Sequence, residues 1–102
     1  MSAALARPVL LDGELTVQTA AEHKTRLLAG LIADGGMDLD LSGVTELDTA
    51  GLQLLLLLGR EAAQLGTSLR LLNPSEPVLE VLRLARLDAQ LGRISSHRPE
   101  VR

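Results

Sequence analysis

The sequence predicts an α/β fold, a small sandwich with a mainly parallel or mixed sheet and crossover helices. Three observations carry that reading. Short apolar or alternating runs (Pro8–Leu11, Glu14–Val17, Met37–Leu41 and Ser68–Leu72) are interleaved with longer stretches of helical periodicity. Helix-stop signals stand at Gly35-Gly36 and Gly66. Finally, 102 residues, 46% of them hydrophobic, are enough for one self-sufficient core.

The first run, Pro8–Leu11, is followed by the turn signal Asp12-Gly13 and by Glu14–Val17, so a hairpin or two adjacent strands are expected. Thr19 and Glu22 have capping-box spacing and predict a helix from Ala20 to Ala33. Leu27, Leu28, Leu31 and Ile32 supply its apolar side. Met37–Leu41 alternates with period two and predicts a strand, and residues 42–48 read as a loop. A second helix follows over Thr49–Leu65, with Gly66 at the position after its end. Ser68–Leu72 predicts another strand. Asn73–Pro77 then turns into a third helix, with Pro77 in its first turn and Val78, Leu79, Val81, Leu82 and Ala85 as its apolar positions. Leu87–Gly92 reads as a short closing element. The whole chain, 1–102, reads as a single domain with a core over about 8–92 and a polar, frayed tail over 95–102.

Composition removes several functions. There is no Cys, Trp, Tyr or Phe. Thiolate metal sites, cysteine nucleophiles and aromatic stacking platforms therefore lack their residues. The net charge of −3 argues against a phosphate-backbone binder, so no nucleic-acid partner is expected. The densest apolar run, Leu54–Gly59, is far short of the roughly 20 residues that cross a bilayer. Met1–Leu11 lacks the apolar stretch of a signal peptide, so the expected location is cytoplasmic, without membrane insertion.

Leu occupies 25 positions, five of them consecutive from Leu54 to Leu58. At about 100° per residue, five neighbours cannot all face one core. Gln53, Arg60 and Gln64 mark the wet stripe of the second helix, and Leu57 falls within it. Leu52, Leu55, Gly59, Ala62, Ala63 and Gly66 lie opposite and are expected to face the sheet. Leu57 is thus predicted to face solvent, with Leu54 at the boundary. A contiguous apolar pair beside polar groups suits a docking surface, or else covers a neighbouring edge. Thr49 lies on the same stripe, at the helix N-terminus. Its hydroxyl reads either as a helix cap or as an acceptor whose phosphate would place about two negative charges at the tip of that surface.

Four segments now carry a resemblance: Gly13-Glu14-Leu15, Asp40-Leu41-Ser42, Leu47-Asp48-Thr49-Ala50-Gly51-Leu52 and Leu72-Asn73-Pro74. Their order and spacing resemble the STAS domain, over roughly Val9 to Gly92. The resemblance implies a four- to five-stranded mixed sheet with helices packed on one side. It also implies a non-catalytic regulatory module, like the bacterial anti-sigma factor antagonists. In those proteins the hydroxyl after the motif Asp is phosphorylated by a kinase that is also the anti-sigma factor, and phosphorylation releases that partner. Carried onto this chain, the acceptor is Thr49. Asp48, Thr49, Gln53, Leu54, Leu57 and Arg60 would form the partner face, and Asp40, Ser42, Gly51 and Asn73 would shape the loops. The Asp-Thr-small-Gly-Leu form also resembles the STAS subunit of bacterial phospholipid-transport ABC complexes, docked on the ATPase, and adaptors from chemotaxis clusters. Three positions depart from the family pattern: Thr16 stands where Asp is common, the acceptor is Thr instead of Ser, and Asp38 occupies a usually apolar strand position.

Other candidates are weaker. Asp38 and Asp40 share a strand face but bring neither further ligands for a metal nor a partner for acid–base work, so Asp38 reads as a solvated or edge-strand charge. His23 and His97 have no orienting carboxylate in view, and Arg83 and Arg86 read as a solvated face. No P-loop, nucleophile elbow or dinucleotide fingerprint is present. No metal, cofactor or enzymatic activity is expected. A protein partner is expected, and an exposed leucine face could also make the chain a homodimer.

Overall fold

The computed structural model describes residues 8–85. The closing element expected at 87–92, the tail at 95–102, Arg86 and His97 lie outside the described residues. Within them the order is β1 (Val9–Leu15), α1 (Ala20–Asp34), β2 (Met37–Leu47), α2 (Thr49–Leu65), β3 (Leu69–Leu72) and α3 (Glu76–Leu84).

The sheet has three strands among the described residues, in the order β1-β2-β3, and both pairings are parallel. This corrects the expectation of four to five mixed strands. The hairpin is corrected too. Residues 9–15 form one strand, and its pairing slips against β2 instead of folding back. Gly13 takes φ +81°, yet the strand continues through it.

The slips also explain why 42–48 resembled a loop. From the Leu10–Asp40 pair to the Asp12–Gly43 pair, β1 advances two residues and β2 three. From Gly13–Val44 to Glu14–Glu46, β1 advances one and β2 two. Two extra residues are thus absorbed in β2, as in β-bulges. Each breaks the period-two alternation, so the buried positions run Leu39, Leu41, Val44, Leu47. Gly43 fits the first bulge because a Cβ there would stand 2.6 Å from the Cβ of Asp12.

The capping box at the start of α1 does not form. Thr19 sits in a tight turn in which the N–H groups of Thr19 and Ala20 both donate to the Thr16 carbonyl. Its φ and ψ, −117° and −12°, are already helical, and its hydroxyl turns back into the turn. There it accepts from the Thr16 N–H at 3.1 Å and donates to the Glu14 carbonyl at 2.9 Å. The predicted stops hold: Gly35 and Gly66 both adopt the left-handed conformation.

One core cluster joins the inward residues of every element: Leu11 and Leu15 from β1, Leu27 and Leu31 from α1, Leu39 and Leu41 from β2, Leu69 from β3, Val78 and Leu82 from α3, and the buried stripe of α2. No ring is available, so leucine fills nearly all of it. On the other face of the sheet, Asp38 is partly exposed, but it is not on an edge. It lies on the central strand opposite Arg70, whose Nε and Nη2 donate to its two carboxylate oxygens at 2.9 and 2.6 Å. That bond raises the Arg70 pKa above its ordinary value.

Candidate functional site

The parallel connections bring two loops to the same end of the sheet, the one after β1 and the one after β2. Asp48 ties them together. As N-cap of α2 it has extended backbone, and its Oδ1 accepts from the Gly51 N–H at 3.0 Å. Its Oδ2 accepts from the Val17 N–H, also at 3.0 Å. The Val17 bond, and next the Gly51 bond, lower the Asp48 pKa from its ordinary value by favouring the ionised carboxylate.

Gly51 sets the approach of α2. A Cβ at this position would stand 2.1 Å from the Leu15 carbonyl oxygen and 2.7 Å from Cδ1 of Leu47. The Asp48 N–H donates to the same Leu15 carbonyl. The helix therefore starts in direct backbone contact with the end of β1, which only glycine permits.

Thr49 follows Asp48 as the first residue of α2 and is exposed. The cap belongs to Asp48, so the N-cap reading of the Thr49 hydroxyl is corrected. Val17, whose N–H Asp48 holds, is 72% exposed.

The orientation of α2 differs from the predicted wheel. Its buried residues are Gly51, Leu54, Leu55, Leu58, Gly59 and Ala62. This is a continuous core stripe at helical spacing, rotated from the predicted one, and Ala63 and Gly66 are exposed. The close contact at Gly51 fixes the rotation, and α1 packs alongside. Leu54, expected at the boundary, is only 4% exposed, which corrects its reading as a partly wet side chain. Leu57, expected to face solvent, is half-buried and packs against the core. Gln53 and Arg60 are exposed as predicted.

Between α1 and α2 runs an open groove of about 480 Å³. Leu54, Leu56 and Leu57 line it from α2, with Ala50 and Gln53 at its N-terminal end and Arg60 further along. From α1 it receives Ala20, Ala21 and Lys24. The structure thus brings Gln53, Leu54, Leu57 and Arg60 together in one groove, with Asp48 and Thr49 immediately before Ala50. Sequence reasoning missed the α1 wall and Val17. Two alanines followed by a lysine one turn on are a small-residue stripe, a weak signal that gains meaning only once α2 lies against it.

The four loop-shaping candidates act at separate places. Asp40 Oδ1 accepts from the Ser42 N–H at 2.9 Å, so the two shape the bulge in β2, not a loop. Gly51 sets the helix start. Asn73 adopts φ +51°, a conformation asparagine tolerates better than most residues, in the turn between β3 and α3. His23 lies on α1, where its Nδ1 is 2.9 Å from Nη2 of Arg26. No group of three His or carboxylate side chains among the described residues could hold a metal ion. No described helix is long and apolar enough to cross a membrane.

These features define a small α/β domain whose candidate site is a helix face and shallow groove instead of an enclosed cavity. The chain belongs to the STAS domain family: the family model described as "Mlab, STAS domain" matches residues 3–94. Among solved structures, it is similar to a crystal structure of a Thermotoga maritima protein, TM1081, proposed to be an anti-sigma factor antagonist. The TM-score is 0.69 at 25% identity, covering 78% of this chain and 72% of that one. An NMR structure of TM1081 is similar at TM-score 0.65 and 25% identity, covering 85% and 68%. The comparison with curated proteins returned no match.

Proposed function

We propose that this protein is a non-catalytic regulatory module of the anti-sigma factor antagonist type, whose binding to a protein partner is switched by phosphorylation of Thr49. The observation that carries the reading is the position of Thr49. It is exposed at the N-terminus of α2, next to a carboxylate held by two backbone N–H groups, and it directly precedes Ala50, which lines the α1–α2 groove. The likeness to TM1081 supports it.

The physics of the switch is local. A phosphate on Thr49 adds about two negative charges at pH 7. The helix N-terminus tolerates such charge. A partner seated against Gln53, Leu57 and Arg60 meets it as a new charge at the rim, beside the Asp48 carboxylate. The backbone donors of Asp48 favour its ionised form, so its charge adds to that of the phosphate. Phosphorylation therefore weakens docking without unfolding the domain.

The test compares Thr49→Ala with Thr49→Glu, each used to retain the partner isolated on the unmodified protein. Retention by Ala and loss with Glu support the switch. Binding by both at the level of the unmodified protein overturns it. Loss with both identifies a hydroxyl needed for packing at a constitutive interface. That outcome belongs to a second reading, favoured by the family model that matches: a constitutive STAS subunit docked through α2 on the ATPase of a phospholipid-transport ABC complex.

A further inference from the structure

We propose that the α1–α2 groove receives an acidic amphipathic helix of the protein partner, its apolar side chains seated on Leu56 and Leu57 and its carboxylates on Lys24 and Arg60. The inference rests on the reading of this face as a protein interface and adds the chemistry of what fills it.

Charge is the first argument. The chain as a whole is acidic, with 13 Asp and Glu against 10 Lys and Arg. The groove reverses that balance. Among the described residues, Lys24 and Arg60 are the ionisable residues that line it, one on each wall, and no carboxylate does. Both are exposed, and neither belongs to an ion pair among the described residues. The structure contains a contrasting arginine: Arg70 is engaged by both oxygens of Asp38. Two free cations flanking leucines and alanines complement carboxylates that flank apolar side chains.

Shape is the second argument. The groove lies between two helices, whose backbone groups are satisfied internally, so it offers no strand edge to an extended peptide. A helix satisfies its own backbone and can lay an apolar stripe between two others. The small residues Ala20, Ala21 and Ala50 leave room for close approach at the N-terminal end.

The inference also gives the switch a sharper form. Ala50 lines the groove and Thr49 precedes it, so a phosphate on Thr49 would repel an acidic helix at the groove's N-terminal end.

The test is an amide-resolved NMR titration of the full chain with two synthetic amphipathic peptides of about five turns. They share a leucine stripe at helical spacing and differ only in Glu against Lys at the flanking positions. The Glu peptide is expected to shift Ala21, Lys24, Gln53, Leu57 and Arg60, and to lose about tenfold in affinity between roughly 50 and 300 mM salt. Lys24→Gln/Arg60→Gln, with an unchanged circular dichroism spectrum, is expected to weaken it by about tenfold or more. Equal binding of the Lys peptide, binding of neither, or shifts that map away from the groove would overturn the inference. Shifts at these amides that depend on protein concentration alone would overturn it in favour of a second copy of the chain. The two readings fail separately. If Thr49→Glu releases the isolated partner while neither peptide binds, the switch stands and the acidic helix falls. If the Glu peptide binds this groove while Thr49→Glu leaves partner binding intact, the acidic helix stands and the switch falls.

Discussion

Two aspartates in this molecule can be compared by the two donors each accepts from among the described bonds, and these do opposite things. Asp38 meets one arginine side chain across two neighbouring strands. Asp48 meets two backbone N–H groups that belong to different connections, Val17 after β1 and Gly51 in α2. The first arrangement joins side chains that can rotate away, on a half-exposed sheet face. The second fixes the backbone itself, in a place where α2 already touches the carbonyl of Leu15. Similar valence thus gives a replaceable surface pair at one site and an over-determined junction at the other. Thr49 is exposed next to the junction, which fixes the start of the helix that carries it.

The largest expected effect tests whether the junction is over-determined. Gly51→Ala places a methyl 2.1 Å from a backbone oxygen, so α2 must lift away from β1. A loss of about 3 kcal/mol in urea unfolding is expected, at the upper end of overpacking costs. A loss below about 1 kcal/mol would mean that the close approach relaxes easily and the junction is no more constrained than the Asp38 pair.

Leu54→Ala comes next, at about 2–4 kcal/mol, against about 1 kcal/mol for Leu57→Ala. The pair tests the observed rotation of α2, which the sequence did not convey. Gln53, Arg60 and Gln64 mark a wet stripe, but five successive leucines leave the centre of the dry one ambiguous by about a residue. The contact that decides it, Gly51 on Leu15, joins residues far apart in the chain. The same limit hid the two bulges, since a bulge erases the alternation by which a strand is read. It also hid the α1 wall of the groove. By contrast, the helix ends at Gly35 and Gly66, the start of α2 at Thr49 and the exposed Gln53 and Arg60 were legible, because each depends on neighbours in sequence. Thr49 stood out from its place on the wet stripe at the helix N-terminus, and Asp48 only through the motif. The bond from Asp48 to Val17 requires the fold.

A pH series separates the aspartates further. The Asp48 pKa is lowered in the folded state, so its contribution to stability is present above the unfolded value of about 3.9. It is lost as pH falls through the folded value. The melting temperature of the unmodified protein should therefore exceed that of Asp48→Asn near neutral pH, and the gap should close as the pH is lowered past this range. A gap of constant size would mean that Asn replaces the carboxylate poorly for steric reasons and that ionisation contributes nothing.

The smallest effect is expected at the other aspartate. The bidentate geometry of Asp38 and Arg70 is good, but both side chains are about a third exposed, so solvent screens the pair. A double-mutant cycle with Asp38→Asn and Arg70→Gln should give a coupling of about 0.5 kcal/mol, decreasing with salt. The partner retained through α2 should bind each of these variants as it binds the unmodified protein, because the pair lies on strand residues facing away from the core. A coupling near 2 kcal/mol would put Asp38 on the same footing as a backbone clip. Loss of partner binding would move the interface onto the sheet face and away from Thr49. The comparison of the two aspartates therefore stands on the weaker one as much as on the stronger: the junction is special only if an equally well-formed pair elsewhere can be removed at little cost.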